Sequence, residues 1–395
     1  MPGALDGITV LDLSRVVAGP TCAMMLGDLG ADVIKVERPS TGDDARAWGP
    51  PFRGTESAYY LGLNRNKRSL TLDLKSERGR DILLELAADA DVLVENFRTG
   101  TTERMGISYD DLRAINPGLV YCSVSGYGRT GPDADRPGYD FVIQGRGGFM
   151  SITGERDGPP MKVGLPVIDV LAALNAAVGI LAALYHRSIT GEGQFLDVSL
   201  LDAEVSSLVN PGSNFLIGGS IPGRWGNANP NIVPYQAVKA KDKWFTIAVG
   251  NNTQFARLCS ALGAPEMASD PRFASNAKRV ENRGALVEAM FAHLKERPAA
   301  EWLAILRRED VPADPIQDIS EVFADPQVLA REMLVTIPHP TLGEVRSAGS
   351  ALKLSETPVH YTRHPPLLGE HTEEILASLG HTQGQISALR KEGVV

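Results

Sequence analysis

Apolar and polar positions follow two rhythms over the first two hundred residues. Short, β-branched apolar runs at ITVLDLS (8–14), ADVIKVE (31–37), SLTLDL (69–74), VLVEN (92–96) and LVYCSVSG (119–126) have the length of strands. Their nearly continuous apolar character predicts a sheet covered on both faces. Helical spacing appears from about Pro20 to Leu29 and in RGRDILLELAADA (78–90), so the chain opens as β-α-β. The pattern predicts an α/β class, with a large Rossmann-like, doubly wound lobe.

The stretch VGLPVIDVLAALNAAVGILAALYHR (163–187) stands apart. After Asp169 the residues to Tyr185 are almost all apolar, with Asn175 and Gly179 as interruptions. That run predicts a buried helix, too short for a membrane span. An Asp at its threshold is expected to cap the helix and to sit ionised against the positive end of the helix dipole.

Beyond residue 205 the texture changes. NPGSNFLIGGSIPGRWGNANPN (210–231) is dense in Gly, Pro and Asn and reads as a long connection. VPYQAVKA and WFTIAVG, joined through Lys241, Asp242 and Lys243, read as a hairpin. Helical segments near 252–263, 283–296 and 299–308 complete a smaller α+β lobe, and short strands and a last helix near 372–379 return to the first. The expected organisation is therefore 1–205 as the large lobe, 206–230 as linker, 231–325 as the small lobe and 326–395 as the returning segment.

Composition narrows the function classes. The 395 residues exceed one comfortable core, and 43% hydrophobic with 22% charged residues is ordinary for a globular protein. A net charge of −9 lacks the basic footprint of a nucleic-acid binder. Cys22, Cys122 and Cys259 are too scattered for a disulfide framework, and neither CxxC nor HExxH is present to hold a metal. With no basic-then-apolar leader at the start, a cytoplasmic protein with no membrane partner is expected.

Two candidate anion sites compete. VSGYGRTGP (124–132) matches a GxGxxG spacing after a strand, but Pro132 and the turn-rich PDADRPG stand where a dinucleotide fingerprint needs a helix N-terminus. Glu37 ends the second strand, as a ribose-binding acid does, and as many acids do. The run NRNKRSLTLDLKSERGR (64–80) concentrates Arg65, Lys67, Arg68, Lys75, Arg78 and Arg80, and ENFRTGTTERMG places Arg98 and Arg104 just past a strand end. Such groups suit a polyphosphate anion if they converge, and a solvated face if they do not.

Taken in order, VLDLSRVVAGPTCAMMLGDLGADVIKVERP, NRNKRSLTLDLK, VENFRTG, SVSGYGRTGP, GLPVIDVLAAL, DPRFASNAKRVENRGAL and PPLLGEHTEEIL resemble the class III coenzyme A transferases of the CaiB/BaiF type. The resemblance implies that Asp169 is the nucleophile. It implies CoA contacts at Val17 and Ala18, Arg38, Leu72, Asp73, Leu74 and Lys75, Asn96, Phe97 and Arg98, Arg104, and Arg136, Pro137, Gly138 and Tyr139. It also implies an interlocked homodimer, with CoA as a substrate and no metal.

Within that family, α-methylacyl-CoA racemases need a His in a GHD motif; here the motif is PGYD, with Tyr139 in the histidine's place. A phenol whose reference pKa is about 10 is a poor base at neutral pH, so transfer is favoured over racemisation. Formyl-CoA transferases acting on oxalate carry a glycine run where this chain has VGNNTQF (249–255). The stretch 224–255 is instead similar to that of succinyl-CoA:glutarate CoA-transferases, which makes Gly250, Asn251 and Asn252 a candidate substrate loop. Arg224, Asn227, Asn229 and Asn252 are then candidates for a second carboxylate, or else turn and cap residues. A thioester hydrolase and a non-catalytic CoA-ester binding protein are the remaining alternatives.

Overall fold

The computed structural model describes residues 2–395. Its main sheet has six parallel strands: β1 (Thr9–Asp12), β2 (Asp32–Glu37), β3 (Lys67–Thr71), β4 (Val92–Glu95), β5 (Val120–Ser125) and β6 (Phe195–Ser199). They lie in the order β3-β2-β1-β4-β5-β6. The order reverses between β1 and β4, and open sheets of this kind bind ligands at the carboxyl ends of the strands that flank such a reversal.

Side chains alternate between the two faces of a strand. Val10, Val33, Val92, Val94 and Cys122 therefore share one core with α1 (Ala18–Asp28). Leu11, Ile34, Leu93 and Tyr121 share the other with α2 (Glu77–Asp89). Both faces are covered, as the apolar runs required. No helix follows β5 until α3 (Asp140–Arg146), so the glycines of VSGYGRTGP open no helix of a dinucleotide site. Glu37 is buried and bound to Arg46 at 2.8 Å and to Ser69 at 2.7 Å, which accounts for it without a ribose.

The apolar run forms α4 (Val167–Thr190), 24 residues long. By length and composition this helix suffices to cross a membrane, contrary to the expectation that it was too short. Its alanine-rich face packs on the sheet and on α1 through Ala172, Ala173, Ala176 and Ala183. It stops at Gly191, whose left-handed backbone (φ 79°) returns an N–H to the Arg187 carbonyl. β6 and then α5 (Leu200–Ser206) follow.

Two compact units divide the chain: one takes the residues up to Phe149, Val163–Ser213 and Gln327–Val395, the other Met150–Lys162 and Asn214–Pro326. Residues 150–162 join the second unit because Gly226 donates to the Gly154 carbonyl and Arg224 to the carbonyls of Glu155 and Gly158. The Gly/Pro/Asn-dense connection is also less open than its composition implies, since Val209–Leu216 is helical and Pro211 falls in the first turn, where no N–H is needed.

In the second unit β7 (Tyr235–Lys239) and β8 (Trp244–Ala248) pair as the hairpin, and β9 (Ala313–Pro315) adds to β8. Helices α6 (Asn252–Ala261), α7 (Arg283–Leu294) and α8 (Ala299–Arg308) bury Phe255, Leu258, Met290 and Trp302 against Phe245 and Ile247. In the first unit, α9 (Thr372–Ser378) and α10 (Gln383–Lys391), a helix the sequence pattern had not separated, place Ile375, Leu376, Ile386 and Leu389 on the second face of the main sheet.

Candidate active site

The loops that leave β1 and β4 form facing walls of one cavity at the strand-order reversal. Asn96 ties them together: its Oδ1 accepts from the Arg15 N–H at 2.9 Å and its Nδ2 donates to the Arg15 carbonyl at 2.7 Å. The loop after β5 closes in because Gly126 and Gly138 meet backbone to backbone; a Cβ on Gly126 would stand 2.6 Å from the Gly138 Cα. The resulting cavity holds about 260 Å³. Val17, Ala18, Asn96, Phe97 and Arg98 line it, with Arg136, Pro137, Gly138 and Tyr139 opposite and Asp169 in the wall.

A larger cavity of about 700 Å³ shares Arg15 and Phe97 with the first. Arg38, Leu72, Asp73, Leu74, Lys75 and Arg104 line it. Its four cations, Arg15 among them, frame an otherwise largely apolar space, a combination that suits a polyphosphate joined to a flat ring. Arg38 is held by Asp44 at 2.6 Å, and Arg15 by the same carboxylate at 3.0 Å. Arg104 donates to the Thr101 hydroxyl at 3.0 Å.

Most of the basic run 64–80 does not join these cations. Arg65 is buried on Asp28 at 2.7 Å, Lys67 on Asp12 at 2.8 Å, Arg68 pairs with Asp32, and Arg78 pairs with Glu392. Of the run's Lys and Arg residues, Lys75 alone lines the cavity. The local excess of positive charge is thus mostly structural.

Asp169 lies in the first turn of α4, but it does not cap it. The N-cap is Pro166, which contributes no side-chain bond. The cap comes from Asp140 in α3: its Oδ1 accepts from the N–H of Ile168 at 2.7 Å and of Asp169 at 3.4 Å. The other oxygen, Oδ2, accepts from Gln144 Nε2 at 2.6 Å, and Gln144 Oε1 accepts from the Val163 N–H at 2.8 Å. Gln144 is fully buried, so this chain of bonds ties the entry to α4 firmly to α3.

Nor is Asp169 held in the ordinary ionised range. Burial, reinforced by the negative charge of Asp140, pushes its carboxyl up to about 7. The Tyr59 phenol is raised in turn, by its own burial and then by Asp169 and Asp140. A partly desolvated carboxylate of raised proton affinity is a stronger nucleophile than a solvated one once ionised. Asp140, Tyr59, Arg15 and Asp44 were not singled out from sequence; the local signals for Asp140 are its place as the acid of the PGYD motif and its spacing of four from Gln144.

The residues of the candidate substrate loop lie in the second unit and have local duties. Asn251 caps α6 by accepting from the Gln254 N–H at 2.9 Å, and Gly250 donates to Gln254 Oε1 at 2.8 Å. Asn252 Oδ1 accepts from the buried Arg279 at 3.0 Å. Asn229 accepts from the N–H groups of Asn231 and Ile232, Arg224 is held by two carbonyls, and Asn227 is exposed. Among the described residues no cluster of three or more His, Cys, Asp or Glu is arranged to hold a metal ion.

Comparison with known proteins agrees on one group. The sequence model described as CoA-transferase family III matches residues 5–372. The succinyl-CoA:glutarate CoA-transferase of Mus musculus is 44% identical over 99% of this chain and 90% of its own length. The succinate–glutarate CoA-transferase of Agrobacterium fabrum is 44% identical over 95% of each. In structure, a CaiB/BaiF family protein from Brucella suis superposes with a TM-score of 0.86 at 43% identity, over 96% of this chain and all of that one.

Proposed function

Since the chain belongs to CoA-transferase family III, whose substrates are CoA thioesters, we propose that it moves CoA from succinyl-CoA to a free dicarboxylate on Asp169. The acceptor in this reading is glutarate or an acid of similar length, the substrate named for relatives 44% identical to it. The observation that carries the proposal is the position of Asp169, a carboxyl raised to about 7 in the wall of a cavity contiguous with the cation-framed one.

The chemistry explains the residue type. Asp169 attacks the donor thioester carbonyl, forming a mixed anhydride and releasing the CoA thiolate. The thiolate attacks the Asp169 acyl carbon, leaving an aspartyl-CoA thioester and free succinate. The acceptor carboxylate then attacks that thioester, giving a second anhydride and again the thiolate. Attack of the thiolate on the acceptor's acyl carbon yields the new acyl-CoA and restores Asp169. Every intermediate remains activated, whereas a Ser nucleophile would pass through an ordinary ester and dissipate the thioester's energy. Each tetrahedral step develops an oxyanion, and a water-poor cavity keeps hydrolysis from competing.

Racemisation fits less well, because the position that needs a histidine base holds the exposed phenol of Tyr139. A homodimer is part of the proposal: α4 carries Leu174, Val178, Leu181, Tyr185 and Ile189 on an unburied stripe, with Val178 67% and Tyr185 71% exposed. A second copy covering that stripe would remove it from water. Three free, buried cysteines suit a reducing compartment, and we place the enzyme in the cytoplasm.

The test is to incubate the protein with succinyl-CoA and glutarate, malate, itaconate, citramalate or oxalate, following acyl-CoA products by mass spectrometry. Glutaryl-CoA formed without net CoA release by the native protein, and not by Asp169→Ala, supports the proposal. Transfer to another acid corrects the acceptor. No Asp169-dependent transfer to any acid refutes it.

A further inference from the structure

Four buried charged side chains outside the chemistry above gather beneath the loop after β1. They are Asp12 at the end of β1, Lys35 within β2, Asp43 beyond β2 and Lys67 at the start of β3, each 0–1% exposed. Lys67 Nζ donates to Asp12 Oδ2, Asn64 Oδ1 and the Pro20 carbonyl, each at 2.8 Å. Lys35 Nζ pairs with Asp43 Oδ2 at 2.9 Å and donates to the Ser14 carbonyl at 2.9 Å. Asp43 Oδ1 in turn accepts from the Val16 N–H at 3.1 Å and from the Ala45 N–H at 2.9 Å. The group grips the backbone at Ser14, Val16 and Pro20, on both sides of the cavity-lining Val17 and Ala18.

Buried ion pairs are a poor route to stability, since well-packed apolar residues often serve as well. The backbone of Val16 points to a different use. Its φ is +75°, a left-handed conformation that a β-branched residue rarely adopts and that persists only where the surroundings impose it. Its N–H is held by Asp43, the peptide before it by Asn96 and the Ser14 carbonyl by Lys35. If the grip is lost, Val16 relaxes toward negative φ, and Val17 and Ala18 leave the wall that faces Asp169.

We propose that Asp43, oriented by Lys35, is a positioning residue: it imposes the left-handed turn at Val16 and thereby sets the Val17–Ala18 wall for transfer at Asp169. It acts through the loop and touches no reacting atom. The proposal deepens the reading of the site as a CoA-transferase centre and rests on it.

A double-mutant cycle between Asp43→Asn and Val16→Gly tests it, because glycine adopts the left-handed turn without being held there. In the native background an amide at 43 must turn its NH₂ group toward either Lys35 or the N–H donors, so the grip fails. The expected loss in kcat/KM for succinyl-CoA-dependent transfer is about 100-fold beside Val16, and less than about 10-fold beside Val16→Gly. The fall in Tm is likewise expected to be at least halved in the Val16→Gly background. Equal losses of kcat/KM in both backgrounds overturn the proposal, and so does a cycle in which only Tm is coupled. If Asp43→Asn does not fold, Asp43→Ala/Lys35→Met, which removes the acceptor of the Val16 N–H together with the ammonium it would leave unpaired, enters the same cycle. The Tm arm needs no substrate: a native protein that transfers no CoA refutes the function proposed above, while uncoupled Tm values refute the grip itself.

Discussion

Asp140 caps the helix that carries Asp169, its Oδ1 accepting from the Ile168 N–H at 2.7 Å and from Asp169's own N–H at 3.4 Å. The positive end of α4, which would otherwise favour an ionised Asp169, is therefore answered by a neighbouring carboxylate. What Asp169 receives from Asp140 is a like charge, added to the cost of its own burial. The two carboxylates are linked through one turn of backbone, and the proton affinity of Asp169 rises as a result.

Attack requires Asp169 ionised, so kcat/KM for the acyl-CoA should rise with pH and level off above about 7. Asp140→Asn keeps a capping oxygen but removes the charge. Its acid limb should move to lower pH while staying above the ordinary carboxylate range, because burial is the larger cause. A pH–rate profile that is unmoved, or displaced upward, would contradict the coupling.

Asp169→Asn should lower transfer by a factor on the order of 10³ or more, since it removes the nucleophile. It should also stabilise the fold in alkali. A carboxyl whose proton affinity is raised on folding binds more protons native than unfolded between pH 3.8 and about 7, so stability falls as pH rises through that window. The variant avoids this loss, and thermal unfolding should favour it at pH 8 by on the order of 2 kcal/mol. At pH 4 the two proteins should melt together.

Asp44 occupies two of the guanidiniums at the cavities, Arg38 at 2.6 Å and Arg15 at 3.0 Å. Asp44→Asn should free them for phosphate and tighten CoA binding about 3-fold or more at low salt, with a steeper salt dependence. Arg38→Met should weaken it by about 10-fold. Calorimetric titration with CoA checks both; an Asp44→Asn protein that binds CoA more weakly would show that the carboxylate orients Arg38 instead of competing for it.

Asp12, Glu37 and Asp43 bear the cost of burial, yet Lys35, Lys67 and Arg46 bring all three below the usual carboxylate range. Their folded pKa values lie under the unfolded ones, so their stabilisation is present above about pH 4 and is lost as pH falls further. Acid unfolding followed by circular dichroism should begin below that range. For Lys35→Met, which leaves Asp12 and Asp43 with less positive charge, the midpoint should move to higher pH.

Local signals in the chain determined much of this molecule. The β-branched runs and the spacing between them placed the opening β-α-β, with its helix read from about Pro20 to Leu29 and found at Ala18–Asp28, because period and propensity act over a few residues. The hairpin at 235–248 was legible for the same reason. The order of motifs likewise marked Val17, Arg38, Lys75, Arg98 and Tyr139, which the fold brings to the two cavities, since each sits at the end of a strand or in a turn whose direction the neighbouring residues set.

Tertiary structure decided what depends on residues distant in sequence. That Asp140 and not Asp169 caps α4, that Arg65, Lys67 and Arg68 turn to Asp28, Asp12 and Asp32 instead of toward a ligand, and that residues 150–162 leave the first unit for the second all follow from pairings across 28 to 72 positions or more. The proton affinity of Asp169 belongs to the same class. Burial and the Asp140 charge set it, and both are properties of distance in space, which a linear pattern of residues does not contain.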